Sequence, residues 1–362
     1  MIKLILLELD KLCRKRSFIL AMAGLLLVNV FLLWYTSLPD STTPGLSAYK
    51  ALLKDLEPLS EEDKQTYIQT LYEDIQGIQL VNDVQNYQAA GGDMGEVLAK
   101  QAMADNPGVY EKYHKDFLQE NYLHYTNTIT REYALIGEIW EEASKVWAYD
   151  TYLEEIQDRK DTLLGISVFS SKNVSDFSKR NIEKEARDYE ELGGISIRYF
   201  PSKGFAMAVK PGITDLLLLL SVFLFSCGLI FEEKEKKLFY ITRAAVLGRW
   251  QSILAKLTAL AVHCMGAAAL FYCANLLFFG ATAGVGDLFC SIQSVACFME
   301  SPLNISTGTY LLLMIVTKAA VLFLIGCIIV FAAIISKQIF TPFLAGIGLL
   351  ASGVLLYVLV PS

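Results

Sequence analysis

Positive charge is missing from Gly280 to Gly308, cysteine is missing from Pro39 to Val209, and charged residues make up only 19% of the 362-residue chain. The scarcity of charge, beside 54% hydrophobic residues, excludes an ordinary soluble domain of this length. Without cysteine, no disulfide framework can hold the stretch from Pro39 to Val209, which must fold on its own apolar core. The chain also lacks the Gly-Lys-Ser/Thr phosphate loop and the three-glycine dinucleotide loop, so it does not bind nucleotide by those means. The HExxH zinc motif, a Ser-Lys pair at helical spacing and paired intramembrane aspartates are absent too, which leaves an intramembrane enzyme unsupported. Of three histidines, His114 and His124 are ten residues apart without a cysteine or carboxylate cluster; they read as surface residues, and no metal, cofactor, catalytic group or nucleic-acid partner is implied.

What charge there is divides sharply. From Pro39 to Val209 there are 30 Asp and Glu against 17 Lys and Arg, and the remainder has 8 against 14. Five stretches reach the roughly 20 apolar residues that a helix needs to cross a bilayer: 17–38, 213–231, 252–279, 309–335 and 339–360. The first has no small-residue cleavage site behind it and reads as a retained anchor. Basic residues flank one side consistently. Lys3, Lys11, Arg14, Lys15 and Arg16 precede the first span, Lys234, Lys236, Lys237, Arg243, Arg249 and Lys256 lie between the second and third, and Lys337 separates the last two. By the positive-inside rule the amino terminus is cytoplasmic, while the acidic region, the loop 280–308 and the carboxyl terminus are outside the cell membrane.

The fold expected is all-α and polytopic: an amphipathic helix over 1–16, about five transmembrane helices, and a large, mainly helical extracytoplasmic domain over 39–210 after the first span. In that domain apolar residues recur at helical spacing (Ile68, Leu71, Ile75, Ile78, Val81; Tyr122, Tyr125, Ile129, Tyr133, Ile136). The longest helix is expected over about 121–161, another from a Ser175 cap to Gly193, and a short extended return over 194–209. The carboxylate pairs Glu141/Glu142 and Glu154/Glu155 read as a solvated helix face. Cys290 and Cys297 either meet outside or stay as two free thiols.

Between the second and third spans, Phe231 to Leu260 mixes charges with Leu238, Phe239, Ile241, Leu247 and Trp250, and suggests a short helix along the membrane face able to hold a soluble partner; the plainer alternative is an ordinary basic loop. The basic amino-terminal helix, the large insertion after the first span, and Glu232, Glu233 and Glu235 followed by Gly248-Arg249 and Lys256 together resemble the type-2 ABC transporter permeases, which export substrates with a separate ATPase subunit. The resemblance implies that segment 232–251 forms a coupling helix on the ATPase through Glu232, Glu233, Glu235, Phe239, Arg243, Gly248, Arg249 and Trp250. It implies a second permease subunit, in a homodimer or heterodimer, and no ATP hydrolysis on this chain. That family normally has six spans, so a count of five suggests a missing last span or a partner that supplies it.

Lys318 lies nine residues into the fourth expected span, about 14 Å along the helix, near the middle of the hydrocarbon. It marks a candidate translocation path, with Asp215 as a partner mismatched in depth and with His263 and Asn275 as further polar candidates; otherwise Lys318 snorkels or bonds a neighbouring helix. The competing reading of the whole chain is a membrane-anchored extracytoplasmic binding or sensory protein without transport activity.

Overall fold

The computed structural model describes residues 2–158, 176–195, 197–210, 212–235 and 248–336, with Leu344 and Gly348. Among them regular structure is helical throughout, apart from one isolated bridge between Ser291 and Ser306. The helices are α1 (Ile2–Cys13), α2 (Arg16–Thr36), α3 (Leu46–Leu56), α4 (Glu61–Ala90), α5 (Gly92–Asp105), α6 (Val109–Leu118), α7 (Ile129–Trp147), α8 (Asp176–Glu190), α9 (Lys203–Val209), α10 (Ile213–Glu235), α11 (Gly248–Thr282) and α12 (Thr307–Ile335). Four of them, α2, α10, α11 and α12, are long and apolar enough to cross a membrane, so the chain has the make-up of a multi-pass membrane protein. The expected fifth span, 339–360, lies outside the described residues except for Leu344 and Gly348.

The chain forms two compact units: Met1–Thr36 with Ala208–Phe278 and Leu311–Ser362, and Ser37–Met207 with Phe279–Tyr310. In the first, the apolar unit, α10 is the spine. Leu218, Val222, Phe225 and Leu229 form a buried row along it, against Leu260, Cys264 and Phe271 of α11 and Leu322 and Val330 of α12. Gly326 of α12 allows this approach, because a Cβ there would meet Val222 and Leu260 side chains at 3.0 Å.

The second, the inserted unit, is organised by α4, which is 30 residues and about 45 Å long. Ser60 starts it: the Ser60 hydroxyl accepts the backbone N–H of Asp63, and Glu61, Glu62 and Asp63 place negative charge in the first turn. Gly91, at a φ of 69°, ends it. On α4, Ile68 meets Leu52 and Leu56 of α3 and Leu135 and Ile139 of α7, while Ile75, Ile78 and Val81 meet Tyr113 of α6 and Ile136. Each fully buried leucine or isoleucine contributes about 1.5–3 kcal/mol. Gly77 is required where it stands, since a Cβ would lie 2.2 Å from the Tyr113 ring. The expected long helix over 121–161 is instead two pieces, α7 and a further helical stretch over 149–158. Thr128 caps α7 by accepting from the N–H of Arg131, and the buried Glu132 carboxylate accepts the N–H groups of His124, Tyr125 and Thr126. That carboxylate fixes the preceding loop, so no helix can continue through it; at the far end the helix breaks at Ala148.

The helix expected near Ser175 is found as α8, its cap outside the described residues, and it turns at Gly194 with a φ of 86°. The return over 194–209 is irregular over 197–202 and then helical as α9, not extended throughout. In 279–310, Gln293 is fully buried and donates to the carbonyls of Ser301 and Leu303, both at 2.9 Å. The Tyr189 hydroxyl donates to the Glu300 carbonyl and joins α8 to this segment. Cys290 and Cys297 are free thiols.

One expectation fails on α7. Glu141 is solvated, but Glu142 is not: its Oε2 is buried without a hydrogen-bond partner. Glu138, one turn earlier, takes a hydrogen bond from the Tyr49 hydroxyl and an ion pair from Lys203. Burial, and then the negative charge of Glu138, raise the Glu142 carboxyl from its ordinary 4.5 to about 7, against the pull of Lys203, the Ser202 amide and Lys145. Because the folded value is the higher one, the folded unit binds the extra proton between the two values. Stability is therefore full below pH 4.5 and falls as pH rises through 7, by about 3 kcal/mol at most. The unit should melt at a higher temperature at pH 5.5 than at pH 8, and Glu142→Gln should flatten that difference in a calorimetric pH series.

Candidate functional site

Among the described residues of the apolar unit, three groups of polar side chains tie the helices together, beside the pair of Ser221 and His263. The first joins α10 and α12. Lys318 Nζ donates to both carboxylate oxygens of Asp215, at 2.8 and 2.6 Å, and the Tyr272 hydroxyl of α11 donates to Asp215 Oδ1 at 2.6 Å. The Lys318 ammonium also stands 5.0 Å from the centre of the Tyr272 ring. The depth mismatch expected from the sequence does not prevent the pair. Helical side chains lean toward their own amino terminus, and the four-carbon lysine stem carries the ammonium back along α12 to the first turn of α10. The pair is not sealed, with 22% of the Lys318 side chain and 35% of the Asp215 side chain accessible.

Immediately beside Asp215 is a closed ring of three buried groups. Asn29 of α2 donates to Asn275 of α11 at 2.7 Å, Asn275 donates to the Thr214 hydroxyl at 2.9 Å, and Thr214 donates to Asn29 at 2.9 Å. Every member gives one hydrogen bond and receives one, which is what makes three polar groups tolerable in an apolar setting. The ring ties α2, α10 and α11 together at the level of the ion pair. Asn275 thus belongs to the candidate path as a neighbour of Asp215, through Thr214. His263 does not: it bonds Ser221 at 3.0 Å and stacks on Phe225 with ring centres 4.1 Å apart, next to Phe18. It is a packed core histidine.

The third group lies at the opposite end of α10. Lys256 of α11, only 7% exposed, donates to Glu233 at 2.6 Å and to Glu8 of α1 at 3.2 Å. Lys11 bridges the same two carboxylates, at 3.1 Å to Glu8 and 3.4 Å to Glu233. Lys15 pairs with Glu232 at 2.5 Å. Nearby, Lys234 donates to the carbonyls of Ala333, Ile334 and Ser336 and so caps the end of α12. Since Asp215 pairs with Lys318 and Lys234 with the end of α12, α10 and α12 run in the same direction.

These contacts redistribute the residues assigned to coupling. Glu232, Glu233 and Glu235 fall on the last turn of α10, where Glu233 holds Lys11 of α1 and Lys256 of α11, Glu232 pairs with Lys15 in the link between α1 and α2, and Glu235 is exposed. Gly248 and Arg249 open α11, Trp250 is 71% exposed beside them, and Phe239 and Arg243 lie outside the described residues. Sequence reasoning missed Asn29, Thr214, Tyr272 and Glu8. Asn29 carries a signal, as a lone amide within an apolar span; Thr214, Tyr272 and Glu8 carry none without their partners. No protein family, no curated protein and no solved structure matches the chain.

Removing Lys256 alone would leave Glu8 and Glu233 facing each other with only the half-exposed Lys11 between them. Lys256→Met should therefore cost about 3–5 kcal/mol, whereas the double change Lys256→Met with Glu233→Met removes both charges and should recover most of the loss. Melting temperatures of the purified variants in one detergent would measure the coupling.

Proposed function

We propose that the chain is the transmembrane permease subunit of an ABC exporter, which forms part of the translocation path and couples to a separate ATPase. The observation that carries this reading is the ionic cluster of Glu8, Lys11, Glu233 and Lys256. Glu233 ends the helix before segment 236–247 and Lys256 lies two turns into the helix after it, so the segment is pinned at its base and fastened to the amphipathic helix α1. A force applied to such a segment reaches α10, α11 and α1 together. An anchored receptor has no use for that arrangement, while a subunit driven from outside its own chain does.

In this reading the amino terminus and segment 236–247 are cytoplasmic and the inserted unit is extracytoplasmic, in keeping with the basic flanks. Trp250, exposed at the start of α11, is the aromatic contact for the ATPase. Asp215 and Lys318 are the polar point of the path, where the pair must open or rearrange for a cargo to pass. A second permease subunit completes the path.

Affinity purification from the native membrane should recover a nucleotide-binding subunit, and Trp250→Ala should reduce that recovery without changing the amount of inserted protein. Recovery of outer-surface proteins alone would instead favour a membrane-anchored binding protein. In the reconstituted complex, Lys318→Ala should lower cargo-stimulated ATP turnover about tenfold while insertion is preserved. Unchanged turnover would remove Lys318 from the path.

A further inference from the structure

The inserted unit contains a cleft of about 470 Å³ that takes no part in the polar groups described above. Its apolar surface is built from Leu53 and Leu56 of α3, Phe200 and Val285. The wall is closely fitted. Gly284, at a φ of 84°, passes under Leu53, and Gly286, at a φ of 68°, passes under the Phe200 ring, where a Cβ would come within 2.1 Å. The stretch leading to Phe200 is equally fixed, because the Arg198 N–H donates to Ser294 at 3.2 Å and the Tyr199 N–H donates to Glu61 at 3.1 Å.

Four charged side chains reach the cleft, and two are already engaged. Lys64 holds Glu61 at 2.8 Å and the Tyr199 carbonyl at 3.3 Å, and Asp287 accepts the Phe289 N–H at 2.8 Å. The other two, the Glu57 carboxylate and the Arg198 guanidinium, are exposed and have no partner among the described residues. A preformed apolar hollow of this size, with a guanidinium and a carboxylate free of partners at its margins and Asp287 as a second carboxylate without an ion pair among the described residues, has the features of a small-molecule site.

We infer that the cleft binds a short apolar peptide with free ends, its amino group on Glu57, its carboxylate on Arg198, and its side chains against Leu53, Leu56 and Val285. An arginine fork suits a carboxylate, which it can hold through two parallel hydrogen bonds. A peptide of this kind is neutral overall, so the acidic surface of the unit does not repel it. The inference does not rest on the transport reading, because every group it uses lies in the inserted unit.

The test is calorimetric titration of the full chain, in neutral detergent, with trileucine, with its N-acetyl form and with its C-terminal amide. Trileucine should bind saturably, and blocking either end should weaken binding about tenfold. Arg198→Gln should bind the free acid and the amide alike, and Glu57→Gln should bind the free and acetylated amines alike. Both residues are exposed, so each variant should keep the parent melting temperature. Val285→Trp should fill the cleft and abolish binding. Equal binding of blocked and free peptides to the parent protein, or binding that survives Val285→Trp, would overturn the proposal, as would no saturable binding into the millimolar range.

Discussion

A charge taken out of water must find an opposite charge or a set of hydrogen-bonding partners, and the apolar unit is arranged around that requirement. Helix packing by itself would allow α10 to rotate or slide, since one leucine or phenylalanine row serves nearly as well as the next. The polar contacts remove that freedom. Asp215 with Lys318 sets the register of α10 on α12 near one end, Lys234 sets it near the other, and the Asn29 ring sets α2 and α11 against the same helix. A slip of one residue on α10 would strand several buried groups at once.

The inserted unit meets the same requirement with backbone groups in place of ions. Glu132 satisfies three N–H groups of the loop before α7, and Gln293 satisfies two carbonyls of the segment before α12. Loops built this way are as fixed as the helices they join, which is how the unit holds together without a disulfide. Glu142 Oε2, Trp147 Nε1 and the Tyr149 hydroxyl are exceptions, buried without a hydrogen-bond partner among the described residues, and of these the Glu142 carboxyl makes the unit sensitive to protons.

Four of the five expected spans were legible in the sequence because apolar length is a local property, and the helical character of the insertion was legible because its core residues repeat at helical spacing. The break in 121–161 was not, since it depends on Glu132 turning back to the loop that precedes its own helix; read linearly, Glu132 is one more polar residue on a helix face. Lys318 and Asp215 could each be singled out as costly in an apolar span, but their pairing depends on how a lysine stem leans. Glu232 and Glu233 illustrate the opposite case. As a motif they look outward, toward a partner; in the fold, Lys15 of the link after α1 claims Glu232, and Lys256 of α11 claims Glu233. Tyr272 and Thr214 had no signal, because hydroxyls in membrane helices commonly bond their own backbone.

The ring of Asn29, Thr214 and Asn275 also bears on how the chain is made. Asn29 is synthesised with the first span, and Thr214 follows it 185 residues later. At about 5–20 residues per second, about 10–40 s pass before the amide can meet its nearest partner. Through that interval the first span carries an unsatisfied polar group, and Glu8 beside it still awaits Lys256, which comes later again. The helix that enters the membrane first therefore waits longer for its polar partner than Asp215 of α10 waits for Lys318. Whatever shelters it meanwhile, whether the insertion machinery or a second nascent copy, shapes the yield of the protein as much as its final stability does.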